Sequence, residues 1–246
     1  MSEHVIEVSD LTMGWSPDAV LLEHASFDID RGEVFAILGG SGSGKSTLLH
    51  YLIGLEPPLA GQINILGLGH PNLEVGRPPF GVMFQGGALF GSMTLLENVM
   101  VPVTEWIDVP ADAATAMARA KLKLVGLEGS GDKMPSELSG GMRKRGAIAR
   151  AMALEPSLLF LDEPSAGLDP VTSAELDDLI LTLKTIVGVT VVVVTHDLAS
   201  IFAIADRCIL LDKETKSIIA RGPPSELKDS DDARVSDFFN RRRRAA

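Results

Sequence analysis

The sequence contains one cysteine, Cys208, so no disulfide can close within the chain. It sits in the apolar stretch ADRCILLD, where a small core thiol is the expected role. The lack of a cysteine framework suits a reducing compartment. No apolar run approaches the ~18 residues that a membrane-spanning helix needs. The hydrophobic stretch at residues 189–194 is short and β-branched, which is the composition of a buried parallel strand. The first ten residues, MSEHVIEVSD, have neither the basic n-region nor the apolar h-region of a secretory leader. The chain is therefore expected to be soluble and to meet any membrane through a partner. Positive charge is scarce as well: 22 Lys and Arg stand against 33 Asp and Glu, a formal net charge of −11. Wrapping nucleic acid requires clustered cations to neutralise phosphates, so nucleic acid is excluded as a partner. One basic cluster stands out, the terminal run Arg241–Arg244. It reads as a solvated tail, a contact with anionic lipid or a contact with an acidic partner face. There is also no heptad run, internal repeat or long low-complexity linker.

What is present is a large apolar content, 46% of 246 residues, enough for one core or for a core with a subdomain. VIEVSDLTM, ASFDID and EVFAIL read as strands, the first two antiparallel and the third entering the core. A Gly-Ser loop and a helix from about Lys45 follow. GQINILG is a further strand, and RPPFGVMFQ carries a short one ending at Gln85. Residues from about 88 to 153 change character: ADAATAMARAKLKLVGL and GMRKRGAIARAMAL carry helical spacing, which predicts a helical subdomain inserted into a sheet domain. SLLFLD, VTSAELDDLILTLKTI, VTVVVVT, LASIFAIA and RCILLD then alternate strand with helix, the signature of a parallel α/β sheet. KSIIARG is a last strand, and SELK and ARVSDFFNRR are helical patches of the tail. The predicted organisation is a main domain over 1–225 and a tail over 226–246.

Gly39, Gly40, Ser41, Gly42, Ser43, Gly44, Lys45, Ser46 and Thr47 match the pattern G-x-x-x-x-G-K-[ST]. The match follows a predicted strand, FAIL, and opens a predicted helix, which is the context that distinguishes a phosphate-binding loop from a flexible Gly-Ser turn. Glycines let backbone N–H groups converge on phosphate oxygens, and the helix N-terminus adds its positive dipole end. Lys45 would reach the β- and γ-phosphates, and the Ser46 hydroxyl would ligate Mg²⁺.

The apolar strand LLFL ends in two acids, Asp162 and Glu163. Ligands of open α/β sheets bind beyond the carboxyl ends of strands. Beside a phosphate loop, Asp162 would support the metal ion, and Glu163 would polarise the water that attacks the γ-phosphate. Alone, the pair would read equally well as solvated acids at a strand end.

Leu138, Ser139, Gly140, Gly141 and Met142 open a basic helix twenty residues before Asp162. Alone this is an ordinary Ser-Gly N-cap, but at this spacing it resembles the LSGGQ signature of ABC transporter ATPases. Further motifs of that family stand in order. Gln85 in VMFQ resembles the Q-loop. Ser165, Ala166, Gly167, Leu168, Asp169 and Pro170 resemble the D-loop, and His196 in VVVVTHD resembles the switch histidine that senses the γ-phosphate. Trp15, thirty residues before Lys45, stands where the family keeps an aromatic that stacks on adenine; a buried core tryptophan is the alternative. The resemblance covers residues 4–225. It implies an α/β fold, a P-loop NTPase core of RecA type with an antiparallel β subdomain and an inserted helical subdomain. It implies ATP and Mg²⁺ as cofactors, with Ser46, Gln85 and Asp162 toward the metal and Glu163 with His196 in catalysis. It also implies a homodimer in which Leu138–Met142 of one protomer close on the ATP held by the other.

The signature ends in Met142 where the family usually has glutamine. FQGGALFGSMTLLENV, LSGGMRKRGAIARA and LDEPSAGLDPVTSAELDDLI are similar to the Mla/Mce branch, which drives phospholipid traffic across the bacterial envelope. That branch implies a multi-spanning permease, an MCE-domain substrate-binding protein, in some members a small STAS-domain partner, and a peripheral place on the cytoplasmic face of the inner membrane. An ATPase of an importer for amino acids or another small solute is the alternative among transporters. The soluble ABC proteins of translation and DNA repair carry two cores or a long coiled-coil insertion, which this chain lacks. The tail, with Phe238 and Phe239 side by side, is expected to dock on a partner protomer or accessory subunit.

Overall fold

The computed structural model describes residues 4–74 and 76–242; Arg243 and Arg244 of the terminal basic run lie outside them. The elements run in chain order as β1 (His4–Gly14), β2 (Val20–Asp30), β3 (Val34–Gly39), α1 (Lys45–Leu52), β4 (Ala60–Ile65), β5 (Gly81–Met83), α2 (Leu95–Trp106), α3 (Ala111–Leu124) and α4 (Gly140–Ala151). They continue as β6 (Leu158–Asp162), α5 (Pro170–Thr182), β7 (Thr190–Val194), α6 (Leu198–Ile204), β8 (Arg207–Asp212), β9 (Ser217–Gly222), α7 (Pro224–Leu227) and α8 (Ala233–Phe239). They form two compact units. One combines the chain before Pro79 with the chain from Thr190 onward; the other is Pro79–Val189.

In the first unit β1 pairs antiparallel with β2 on one side and β4 on the other. Polar residues alternate with buried ones along β1 and β2, as expected of a sheet with one face on the core. The second sheet of this unit centres on β3, every residue of which is buried. It runs parallel to β7 and β8, and β9 closes the edge antiparallel to β8. The run TVVVV is β7 and is buried throughout, so its lack of alternation reports burial on both faces. At the opposite end from the phosphate loop, the Arg207 guanidinium binds Glu33 at 2.8 and 2.9 Å and Asp28 at 3.1 Å. This locks the start of β8 to the loop that feeds β3.

The tail belongs to this core. Val235 and Phe239 of α8 are buried with Leu38, Leu198, Ile201, Cys208 and Leu210, and Phe238 packs partly buried beside them. Of the paired aromatics, Phe239 thus faces the core of its own unit and Phe238 its margin. An amphipathic turn of helix brings Phe239 inward, where it also meets Phe202 and Phe238 edge-on. Asp232 caps α8 by accepting from Arg234 N.

In the second unit β5 runs parallel to β6, with Met83 opposite Leu161. The strand stops at Met83, short of Gln85, because the chain turns at Gly87, whose N–H donates to the Phe84 carbonyl and whose φ is 75°. α2, α3 and α4 follow. Thr94 and Glu97 form a capping box on α2, and Asp169 caps α5. α5 ends in one π turn, residues 183–187, before Gly188 takes a left-handed φ of 79°.

Candidate functional site

On the first unit β3 delivers the chain into the loop 39–44. Gly42 and Gly44 have φ of 76° and 89°, values that only glycine adopts without strain. Gly44 is the N-cap of α1 and supplies no side-chain cap, so the helix presents its N-terminal N–H groups at the loop, the arrangement that binds anions. The Lys45 ammonium lies inside the curl, donating to the carbonyls of Gly39 at 2.9 Å and Gly40 at 3.1 Å. The Ser43 hydroxyl is buried beneath it with no hydrogen-bond partner among the described residues. Ile37 stands opposite Val194 in the β3–β7 pair. Gly39 and His196, each two residues further on, therefore leave the sheet at the same edge. His196 is exposed, in a turn shaped by Thr195, whose hydroxyl accepts from Asp197 N at 3.1 Å, and by Asp197, which caps α6.

Trp15 is 72% exposed, which removes the reading of a buried core tryptophan. Its turn is tied to the phosphate-loop helix: the Tyr51 hydroxyl donates to the Gly14 carbonyl at 2.7 Å. A Cβ on Gly44 would meet Met13 Cε at 3.2 Å. The indole thus stands on the β1–β2 turn beside the start of α1. On the far side of the loop, α8 and the ends of β8 and β9 shape a cleft of ≈ 330 Å³ that reaches Gly40, Ser41 and Ser43.

On the second unit Asp162 and Glu163 end β6, 6% and 9% exposed. Glu163 has φ 46°, a left-handed conformation that costs a non-glycine residue about 1–3 kcal/mol and turns the acid out of the strand line. Gln85, two residues past Met83, leaves at the level of Glu163, two residues past Leu161. It is exposed.

Ser139 caps α4, its hydroxyl accepting from Met142 N at 3.2 Å, and the Arg143 guanidinium donates to the Leu138 carbonyl at 2.9 Å. A Cβ on Gly140 would meet Leu168 Cδ2 at 3.3 Å, and one on Gly141 would meet Thr172 Cγ2 at 2.5 Å. The signature glycines therefore lie directly against the D-loop segment. That segment is held by Asp169, which accepts from the Thr172 hydroxyl at 2.6 Å and from the N–H groups of Val171 and Thr172 at 3.1 Å. These bonds, the Thr172 hydroxyl foremost, hold the Asp169 carboxyl below its ordinary range.

The sequence pattern of the ABC transporter family matches residues 22–166, more than half the chain. The chain belongs to the ABC transporter family. It is 41% identical over 226 residues to the intermembrane phospholipid transport system ATP-binding protein MlaF of Escherichia coli (strain K12), covering 89% of this chain and 83% of that one. It is 40% identical over 243 residues to the probable ribonucleotide transport ATP-binding protein mkl of Mycobacterium leprae (strain TN), 97% of this chain and 69% of the other. Among solved structures, cbiO1 from Clostridium perfringens superposes with a TM-score of 0.83 at 29% identity, over 96% of this chain and 95% of that one. The ATP-binding cassette MJ0796, as a dimer bound to ADP and Pi, gives 0.77 at 29% identity, over 89% and 98%. The fold is the ABC ATPase fold, and the chain binds ATP and hydrolyses it in support of transport.

Four residues of this ABC cassette escaped the sequence reading. Tyr51 pins the Trp15 turn, as above. Asn98 is fully buried and clamps the segment after Gln85. Its Oδ1 accepts from Phe90 N at 2.7 Å, and its Nδ2 donates to the carbonyls of Phe90, Met93 and Thr94 at 2.9–3.1 Å. Arg150 donates to the carbonyls of Ala88 at 2.8 Å and Gly87 at 3.0 Å, and its guanidinium lies 5.6 Å over the Phe90 ring. Lys144 is 8% exposed and donates to the carbonyls of both Gln85 and Glu163. Burial pulls its ammonium below the ordinary lysine range, while Asp162 and Glu163 pull the other way. A buried asparagine in an apolar helix is a usable signal in principle. Lys144 and Arg150 carry none, since basic residues on a helix read as a solvated face.

Proposed function

We propose that the chain is the ATP-hydrolysing subunit of a transporter that moves phospholipid across the bacterial cell envelope. It works as a homodimer held on the cytoplasmic face of the inner membrane by a multi-spanning permease, with an MCE-domain substrate-binding protein and a STAS-domain accessory as further partners. The observation that carries this reading is the 41% identity with a phospholipid-transport ATPase across 89% of the chain. A second reading, a small polar cargo, is favoured by the ribonucleotide-transport name of the mycobacterial relative.

The residue roles proposed here are those that the family resemblance implies, supported by the chemistry of each side chain. The backbone N–H groups of residues 39–47 and the Lys45 ammonium bind the phosphates, and Trp15 stacks on the adenine. The donors offered by Ser46, Asp162 and Gln85 are a hydroxyl, a carboxylate and an amide oxygen, the hard oxygen set that suits Mg²⁺. When bound, the ion supplies charge neutralisation on the β- and γ-phosphates. The Glu163 carboxylate accepts a proton from water as the water oxygen attacks the γ-phosphorus and ADP leaves with the bridging oxygen. His196 contacts the γ-phosphate. Ser139, Gly140, Gly141 and Met142 present the N-terminus of α4 to the ATP of the partner protomer, with Leu138 buried behind them as the anchor. Ala166–Asp169, packed against the signature glycines, move with them.

The test is purification of the tagged chain from its own membrane in mild detergent, with proteins and lipids identified by mass spectrometry. A permease arriving with an MCE-domain protein and enriched phospholipid is expected. A permease with a solute-binding protein and no enriched lipid would assign a small solute as cargo.

A further inference from the structure

Lys144 is a side chain that physically joins three motifs of the second unit. It rises from the signature helix α4, five residues after Ser139. Its Nζ lies between two backbone carbonyls, those of Gln85 and of Glu163, the latter at 3.0 Å. Both belong to residues just past the ends of the paired strands β5 and β6. We propose that Lys144 is a positioning residue for hydrolysis, holding the Glu163 backbone so that its carboxylate faces the attacking water.

Three observations make this more than a structural fastening. Glu163 sits at φ 46°, a conformation that persists only where neighbours over-determine it, and the Lys144 bond falls on the carbonyl of that same residue. The ammonium is buried and donates to both carbonyls at once, so its position is fixed by two hydrogen bonds shielded from water. Its other partner, the Gln85 carbonyl, heads a segment that α4 also grips through Arg150 at Gly87 and Ala88. A cation on the signature helix thus ties the direction of the base to the position of the Q-loop. A shift of α4 relative to β5 and β6 would release both carbonyls together. This gives closure of the signature a direct mechanical route to the base, without passing through nucleotide.

The inference rests on the assignment of Glu163 as the base, and the experiment separates the two. ATP turnover, KM and nucleotide affinity are measured on the full chain for wild type, Glu163→Gln, Lys144→Met, Lys144→Gln and the double variant Glu163→Gln/Lys144→Met. Lys144→Met, which keeps the stem and removes the donors, is expected to lower kcat about 10- to 100-fold with KM within about 2-fold, the size of effect that misplacing a reacting group produces. Lys144→Gln keeps a polar donor too short to span both carbonyls and is expected to lose roughly 3- to 10-fold in kcat at unchanged affinity. It carries the test alone if the methionine variant does not fold. The double variant is expected to be no slower than Glu163→Gln, because the lysine acts through the glutamate. Wild-type kcat in either folded lysine variant, equal losses in affinity and kcat, or multiplicative losses in the double variant would overturn the inference alone. Wild-type turnover by Glu163→Gln would overturn the base assignment and this inference with it.

Discussion

Trp15 and Cys208 are opposite kinds of residue. Trp15 is exposed, on a turn pinned by Tyr51, and its proposed partner is a nucleobase. Stacking of a base on an aromatic is worth about 1–3 kcal/mol, so Trp15→Ala is expected to weaken ATP affinity by roughly 10-fold with the melting temperature unchanged. Calorimetric titration checks it, and unaltered affinity would remove the stacking role. Cys208 is fully buried and its thiol is pushed up to about 12 by desolvation. Since the thiolate is the reactive form, a thiol-specific colour reagent should leave the native chain unlabelled at neutral pH and titrate one thiol after denaturation. Rapid native labelling would contradict the burial. The motifs whose chemistry depends on residue type at fixed spacing were legible in the chain: the phosphate loop, the acidic pair, the signature and the histidine after β7. Asn98, whose partners Phe90, Met93 and Thr94 lie close by in the chain, was overlooked; Lys144 and Arg150 were not legible, because each acts on backbone carbonyls of a segment far away in sequence. No local pattern encodes those contacts.

Among the elements, the strands and helices of the parallel sheet were readable from their alternation and from the unbroken apolar run of β7. Two features were not. β5 stops before Gln85 because a glycine turn, not loss of apolar pattern, ends it. α8 carries two adjacent aromatics that suggest an exposed docking face, yet burial of Val235 and Phe239 among Leu38, Leu198 and Leu210 turns it inward. A seven-residue helix shows too few turns for its buried face to be read from periodicity alone. Because α8 also walls the cleft beside Gly40 and Ser41, its loss should be felt at the phosphate loop. Truncation after Asp232 removes two buried side chains, worth about 3–6 kcal/mol together. It is expected to lower the melting temperature by about 10 °C and to weaken ATP binding. A truncated chain with wild-type melting and affinity would show that α8 is dispensable to the core.

At the scale of the whole molecule, the signature glycines pack on the D-loop of their own unit, and Ser139 caps α4 with its hydroxyl exposed outward. This surface is proposed to meet the ATP of a second copy. Among the described residues no helix is long and apolar enough to cross a membrane. The sequence carried the order of the motifs, and with it the family. Assembly and cargo are properties of surfaces and partners that one chain's pattern does not specify. The decisive measurement is on Glu163→Gln with ATP and Mg²⁺, reading phosphate release and molar mass by light scattering on the same sample. The expected result is turnover at least ~10²-fold slower, as for loss of a catalytic base, together with conversion to a stable dimer that holds two ATP. Near-normal turnover by a chain that stays monomeric would contradict both the base and the closed dimer.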